Sequence, residues 1–210
     1  MKLYTHPIST TCRPIMMFAA EQGIPLEMQV VDLFTGEHTK APYGAINPNH
    51  LIPVLEDGDF QLTESSAIMK YLAEKAGSPL YPKDLQQRAR VNERMDWINT
   101  QLGREFCYGV VYPQIFPHHK RRSAEAQEAT LQWGKEHAQR WLKVLDENIL
   151  GPGNNYLCGD SLTIADFYGA AFLTLGEVVG CRFSDYPNVQ RWLGRMKALK
   201  SWKQVNETLD

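Results

Sequence analysis

The hydrophobic period of this chain changes once, at Gly77-Ser78-Pro79-Leu80-Tyr81-Pro82-Lys83-Asp84, and that change constrains the fold more than any other feature. Before it, apolar residues come in short runs that switch character every ten to fifteen positions. Lys2–Thr5 reads as a strand and Arg13–Gln22 as a helix stopped by Gly23-Ile24-Pro25. Residues 27–31 alternate like a second strand, extended by Leu33. A polar loop over 35–42 and the turn Asn47-Pro48-Asn49 follow. Residues 52–55 make a strand, Glu56-Asp57-Gly58-Asp59 a hairpin turn, Phe60–Leu62 the return strand, and a helix starts near Glu64. The order β-α-β-loop-β-β-α predicts a small α/β domain with a mixed sheet over residues 1–76.

The Gly/Pro-rich segment 77–86 reads as a linker. Beyond it the strand pattern vanishes. Val91, Met95, Ile98 and Leu102 form one helical stripe; Ala138, Trp141, Leu142, Leu145 and Ile149 form another, stopped by Gly151-Pro152-Gly153. Thr163 and Asp166 have the spacing of a capping box before the apolar run 167–175. Pro187, Val189, Trp192, Leu193 and Met196 start a further helix. Residues 87–210 are therefore expected to be all-helical.

Composition excludes several classes. With 43% hydrophobic and 22% charged residues and a net charge of −2, no global basic field recruits nucleic acid or anionic lipid. No apolar run approaches the roughly 18 residues of a membrane span. The N-terminus reads as an amphipathic strand, not as a leader, and Cys12, Cys107, Cys158 and Cys181 lack metal-ligand or C-x-x-C spacing. A cytoplasmic protein with reduced thiols and no metal is expected, and the sequon at 206–208 is then a coincidence.

Four segments could carry chemistry. Ser9-Thr10-Thr11-Cys12-Arg13 opens the first helix; its hydroxyls serve as a cap, or line a ligand site at free helix N–H groups. Cys12 sits where a C-x-x-C motif would hold its second cysteine, with Ser9 in place of the first. Thr63-Glu64-Ser65-Ser66 opens the helix before the linker: a cap and an acid against the macrodipole, or a site for a carboxylate beside an ammonium. Pro53 begins a strand; a cis bond there would expose backbone for a peptide ligand. Tyr108, Tyr112 and Phe116, four apart, form core or wall an apolar pocket. The basic run His118-His119-Lys120-Arg121-Arg122 reads as the solvated face of a loop.

In order along the chain, S-x-x-C-R, N-P-x-H-x-I-P-V-L, T-E-S-x-A-I, a Pro-rich linker, a helical region and T-x-A-D resemble a cytosolic glutathione S-transferase. The resemblance spans essentially the whole chain and points to serine-type, delta- and theta-like members such as those of bacteria. It implies a thioredoxin-like fold for residues 1–76, glutathione as co-substrate, and a homodimer. It implies Ser9 as the catalytic hydroxyl, and His38 and His50 at the glycyl end of glutathione. Ile52 beside a cis-Pro53 would pair with the cysteinyl unit, and Glu64 with Ser65 would hold the γ-glutamyl end. Tyr108, Tyr112 and Phe116 would line the electrophile site, with Thr163 and Asp166 as a structural cap. Ser66 departs from the arginine common in the delta class, and Thr10 from the cysteine of the beta class.

On this view the serine makes chemical sense. Glutathione brings its own thiol, with a pKa near ~8.5, and lowering it by about two units takes roughly 2.7 kcal/mol. A hydrogen bond to the charged sulfur supplies about 1.5–3 kcal/mol and a helix N-terminus about 0.3–1. The expected function is conjugation of the glutathione thiolate to small apolar electrophiles, a detoxification chemistry. The alternatives are a non-catalytic binding module, or a glutathione-dependent thiol-disulfide reductase using Cys12.

Overall fold

The structure, a computed structural model, describes residues 1–151 and 153–206; Pro152 of the expected helix stop and positions 207–208 of the sequon lie outside them. β1 (Lys2–Thr5) and β2 (Glu27–Val30) pair in parallel, with Leu3 opposite Met28. A parallel pair needs a crossover, and α1 (Arg13–Gln22) supplies it. Pro14 fits its first turn, where an N–H has no intrahelical partner, and Gly23 at φ +64° ends it in the left-handed conformation. β3 (Val54–Asp57) and β4 (Phe60–Leu62) form an antiparallel hairpin, and the sheet order is β2-β1-β3-β4. α3 (Ser65–Lys75) closes this α/β unit.

Four sequence expectations need correction. All four residues of β2, one edge strand of the sheet, are exposed, so its alternation marks no buried face. Leu33 does not extend it: Asp32 Oδ1 accepts from the N–H groups of Phe34 and Thr35, and that local turn bends the chain away. The loop over 35–42 contains a 3₁₀ turn, Glu37–Thr39, and runs into a short helix α2, Ala41–Gly44. β3 starts only at Val54, since Pro53 has no N–H to give a ladder.

The remainder is helical. α4 (Leu85–Trp97) continues through π-type turns at Ile98–Leu102 and Arg104–Val111 into α5 (Tyr112–Ile115). α6 (Ala124–Val144) ends in another such turn, Leu145–Ile149. α7 (Ile164–Val178), α8 (Pro187–Lys197) and α9 (Lys200–Asn206) complete the described chain. α7 starts at the expected capping box: Asp166 Oδ2 accepts from Thr163 N–H at 2.8 Å. The fully buried carboxylate also accepts from Leu157 N–H and Trp192 Nε1, tying α8 to the start of α7.

The two parts share one core. Leu3, Ile15, Phe18, Ile68 and Leu72 from the α/β unit pack continuously with Phe167, Leu173 and Trp192 from the helices. Phe18 and Phe167 meet edge to face at 6.1 Å. Arg13 is wholly buried at this seam: Nε donates to Asn206 Oδ1, Nη1 to the Ala171 carbonyl and Nη2 to Thr174 Oγ1. A guanidinium with its N–H groups matched to acceptors tolerates burial, and here it pins α1 to α7 and α9. That junction holds the N-terminal end of α1 rigidly against the helical part.

Candidate functional site

A cavity of about 280 Å³ lies between the α/β unit and the helices, and the N-terminal ends of α1 and α3 both open onto it. At the first, Ser9 Oγ accepts the N–H of Cys12 at 3.2 Å. Ser9 Oγ also shares a hydrogen bond with Thr11 Oγ1 at 3.1 Å, and Thr11 Oγ1 donates to the Ile52 carbonyl at 3.3 Å. Thr10 is buried, its hydroxyl bonded to that of Tyr112. The capping and lining roles of this segment are thus shared among three hydroxyls. Cys12 has no exposed surface, and burial pushes its thiol up, the reverse of what a reactive thiol needs.

At the second helix end, Glu64 is an exposed residue held at φ +64°, ψ 110°. Such a conformation costs a non-glycine residue on the order of 1–3 kcal/mol and concentrates at functional sites. Ser65 is buried, 3.1 Å from the hydroxyl of Tyr168 on α7. Thr63, Glu64 and Ser65 all line the cavity.

The connecting wall is the loop before β3. The Ile52–Pro53 bond is cis, and both residues line the cavity. Asn47 Nδ2 and the Tyr43 hydroxyl both donate to the Leu51 carbonyl, at 2.6 and 2.8 Å, fixing that loop. His38 lines the cavity with its Nδ1 buried and unpartnered among the described residues. Burial, then His118 and His50, pushes His38 down. His50 is not part of the lining. Its ring lies over Gly44, where a Cβ would stand 2.7 Å from Cε1, and its Nδ1 meets the His38 carbonyl at 3.0 Å.

Opposite stand the aromatics. Tyr108 and Tyr112 come from the end of the long α4–α5 helix, their rings 4.7 Å apart, and Phe116 follows where the backbone leaves the helix. Tyr112 and Phe116 are buried, whereas Tyr108 is 51% exposed and forms the rim.

His118 and His119 correct the reading of the basic run. The 3₁₀ turn Pro117–His119 sets both imidazoles along the cavity, His119 half-buried and His118 still exposed, and Lys120, Arg121 and Arg122 are exposed beyond them. Counting imidazole as a charge hid this, because a neutral histidine packs as an aromatic. Asn99 in the π-type turn after α4 and Asn49 also line the cavity, and the Tyr168 hydroxyl meets that of Ser65. Local sequence carries no signal for these, since each depends on how the helices dock. Among the described residues no cluster of three or more metal-ligating side chains occurs, and no helix is long and apolar enough to cross a membrane.

Two helix N-termini, a cis-proline loop and an aromatic wall around one cavity suit an anionic, peptide-like ligand lying beside an apolar one. Comparison with known proteins agrees. Residues 8–75 match the family model for the glutathione S-transferase N-terminal domain, and residues 106–200 that for its C-terminal domain. The human glutathione S-transferase theta-1 is 33% identical over 201 residues, covering 94% of this chain and 82% of that protein. A structure of human glutathione transferase theta-2 in complex with glutathione and an unknown ligand superposes with a TM-score of 0.85 at 31% identity, over 99% of this chain and 86% of that one. A delta-class glutathione transferase of Nilaparvata lugens gives 0.80 at 32% identity, over 99% and 93%. With its thioredoxin-like sheet, its helical C-terminal half and this cavity between them, the chain belongs to the glutathione S-transferase family and is a glutathione S-transferase.

Proposed function

We propose that this transferase conjugates the glutathione thiolate to small apolar electrophiles, with Ser9 donating a hydrogen bond to the sulfur. The observation that carries this is the placement of Ser9 at the start of α1, on the same cavity as Glu64 and Ser65 and facing Tyr108, Tyr112 and Phe116. In this reading Glu64 takes the ammonium and Ser65 the carboxylate of the γ-glutamyl end. The backbone of Ile52 beside Pro53 pairs with the cysteinyl unit, and His38 takes the glycyl carboxylate. His50, bonded to the His38 carbonyl, braces that loop from behind. The α1 N-terminus adds its partial positive charge to the same sulfur. Proximity of thiolate and electrophile supplies much of the rate.

Residues 1–76 then form the glutathione-binding unit, 77–86 the connection and 87–210 the unit bearing the electrophile site. A cytoplasmic homodimer serving detoxification accords with the family. The reductase alternative is disfavoured by the inaccessible Cys12. The test is steady-state turnover of glutathione with a chromogenic haloarene, comparing wild type, Ser9→Ala and Glu64→Ala. The reading expects Ser9→Ala to lower kcat and Glu64→Ala to raise the KM for glutathione. Wild-type turnover equal to the uncatalysed rate would refute it.

A further inference from the structure

Three imidazoles stand in successive contact along the cavity. The His38 and His118 rings lie 5.3 Å apart, His118 and His119 4.5 Å, and His119 reaches Tyr112 at 5.2 Å and Tyr108 at 5.4 Å. The first belongs to the glycyl end assigned above, and both His118 and His119 meet the aromatic wall. The ring nitrogens of His118 and His119 make no hydrogen bond among the described residues and are not buried, so they are open to a ligand in the cavity, whereas His38 Nδ1 is buried without a partner. A buried polar atom left unpaired inside a site calls for a ligand or a chemical role. His38 takes the glycyl end in the reading above, and His118, stacked on Phe116 at 5.7 Å, is exposed. His119, wedged among Tyr108, Tyr112, Phe116 and His118, faces the electrophile side.

Resting on the glutathione reading above, we infer that His119 determines substrate specificity by donating its ring N–H to an electrophile oxygen on which negative charge develops as the thiolate adds. With a conjugated enone, the sulfur lone pair forms the C–S bond at the β-carbon and the alkene pair shifts to make an enolate. That enolate oxygen accepts the His119 N–H, and a solvent proton then adds at the α-carbon, leaving the thioether. With an alkyl halide the charge departs on the halide, and the donor gains little. Burial, with His118, Arg121 and His38 adding to it, pushes His119 down to about 4, so the ring is neutral near pH 7. A neutral imidazole still donates one N–H, and does so without surrendering a proton to the thiolate. Neither tyrosine on the wall competes equally: the Tyr112 hydroxyl is committed to Thr10, and Tyr108 stands at the exposed rim.

The test compares kcat/KM for a conjugated enone with that for an alkyl iodide of similar size, glutathione saturating, in wild type, His119→Phe, His119→Asn and Tyr108→Phe. A donor to a developing anion is worth roughly a 10- to 100-fold rate. The enone-to-iodide ratio should fall by about that factor in His119→Phe and partly recover in His119→Asn, which restores an N–H. A ratio unmoved in His119→Phe, or one that collapses instead in Tyr108→Phe, overturns the assignment. Equilibrium binding of the methyl vinyl ketone thioether of glutathione and of S-butylglutathione separates the two readings. Wild type should favour the ketone, and His119→Phe should lose that preference. Equal affinities in wild type would sink the role of His119 while leaving the glutathione site standing; no binding of either would remove both.

Discussion

Replacing Ser9 with alanine is expected to raise the pKa of bound glutathione's thiol by about one unit, and the hydroxyl network of the first loop sets that size. Thr11 has a single proton and gives it to the Ile52 carbonyl. In the bond between Ser9 and Thr11 the proton therefore comes from Ser9. To reach a thiolate, Ser9 must give up that neutral hydrogen bond, about 0.5–1.5 kcal/mol, for one to an ion, about 1.5–3 kcal/mol. The net gain is about 1–1.5 kcal/mol, or roughly 0.7–1.1 pKa units. The remainder of a two-unit depression falls to the α1 N-terminus, which supplies up to about 2 kcal/mol when partly buried. This lowers the 1–2 units that an unencumbered serine would give. Ultraviolet titration of the thiolate in the binary complex measures the shift. Thr11→Val is the opposite perturbation: it frees the Ser9 proton and should lower the same pKa by up to about one unit. If the thiol titrates identically in wild type and Ser9→Ala, or if Thr11→Val raises its pKa, the reasoning is wrong.

Three further outcomes follow from the packing. Burial lifts the Asp166 carboxyl to about 6 from 3.8, so its contribution to stability is full below the lower value and is lost as pH rises through the higher one. The stability gap between wild type and Asp166→Asn, read by denaturant unfolding, should thus narrow by about 1 kcal/mol between pH ~5 and ~7. A gap that widens would mean that the donors to the carboxylate outweigh its burial. Gly134→Ala should cost at least about 1–3 kcal/mol, because the added Cβ would lie 2.4 Å from the Gly109 carbonyl carbon across the crossing of α6 with the π-type turn, where neither backbone can yield; an unchanged melting temperature would contradict it. Cys12 should resist alkylation at neutral pH in the native protein and react once it is unfolded, as mass spectrometry of the labelled peptide would show. Rapid native labelling would return the reductase chemistry to consideration.

Much of this molecule follows from local chemistry. Gly23, Pro14 and the run of apolar positions between them bound α1 without help from the rest of the chain. Thr163 and Asp166 start α7 for the same reason, since a capping box lies within one helical turn. The order of strands and helices, the change of period near residue 77 and the serine at the mouth of the first helix were likewise legible, because each is written in spacing or residue type over a few positions. That local grammar, with the motif order it carries, was enough to place the chain among the glutathione transferases.

Tertiary structure decided what depends on docking. β2, at one edge of the sheet, is exposed along its whole length because nothing packs over it, which no alternation of Met28 and Val30 could announce. Arg13 reads as a helix-start charge, yet it is a buried clamp, since its acceptors lie more than 150 residues away. His50 turns from the cavity toward His38, and His118 and His119 turn into it. An imidazole is charged or neutral, solvated or packed, according to what surrounds it, and only the docking of the 3₁₀ turn against the first domain supplies those surroundings. Ser9 itself is the boundary case: its presence and that of Thr11 were local information, but the Ile52 carbonyl that takes the Thr11 proton, and so leaves Ser9 the donor to Thr11, was brought there by the fold.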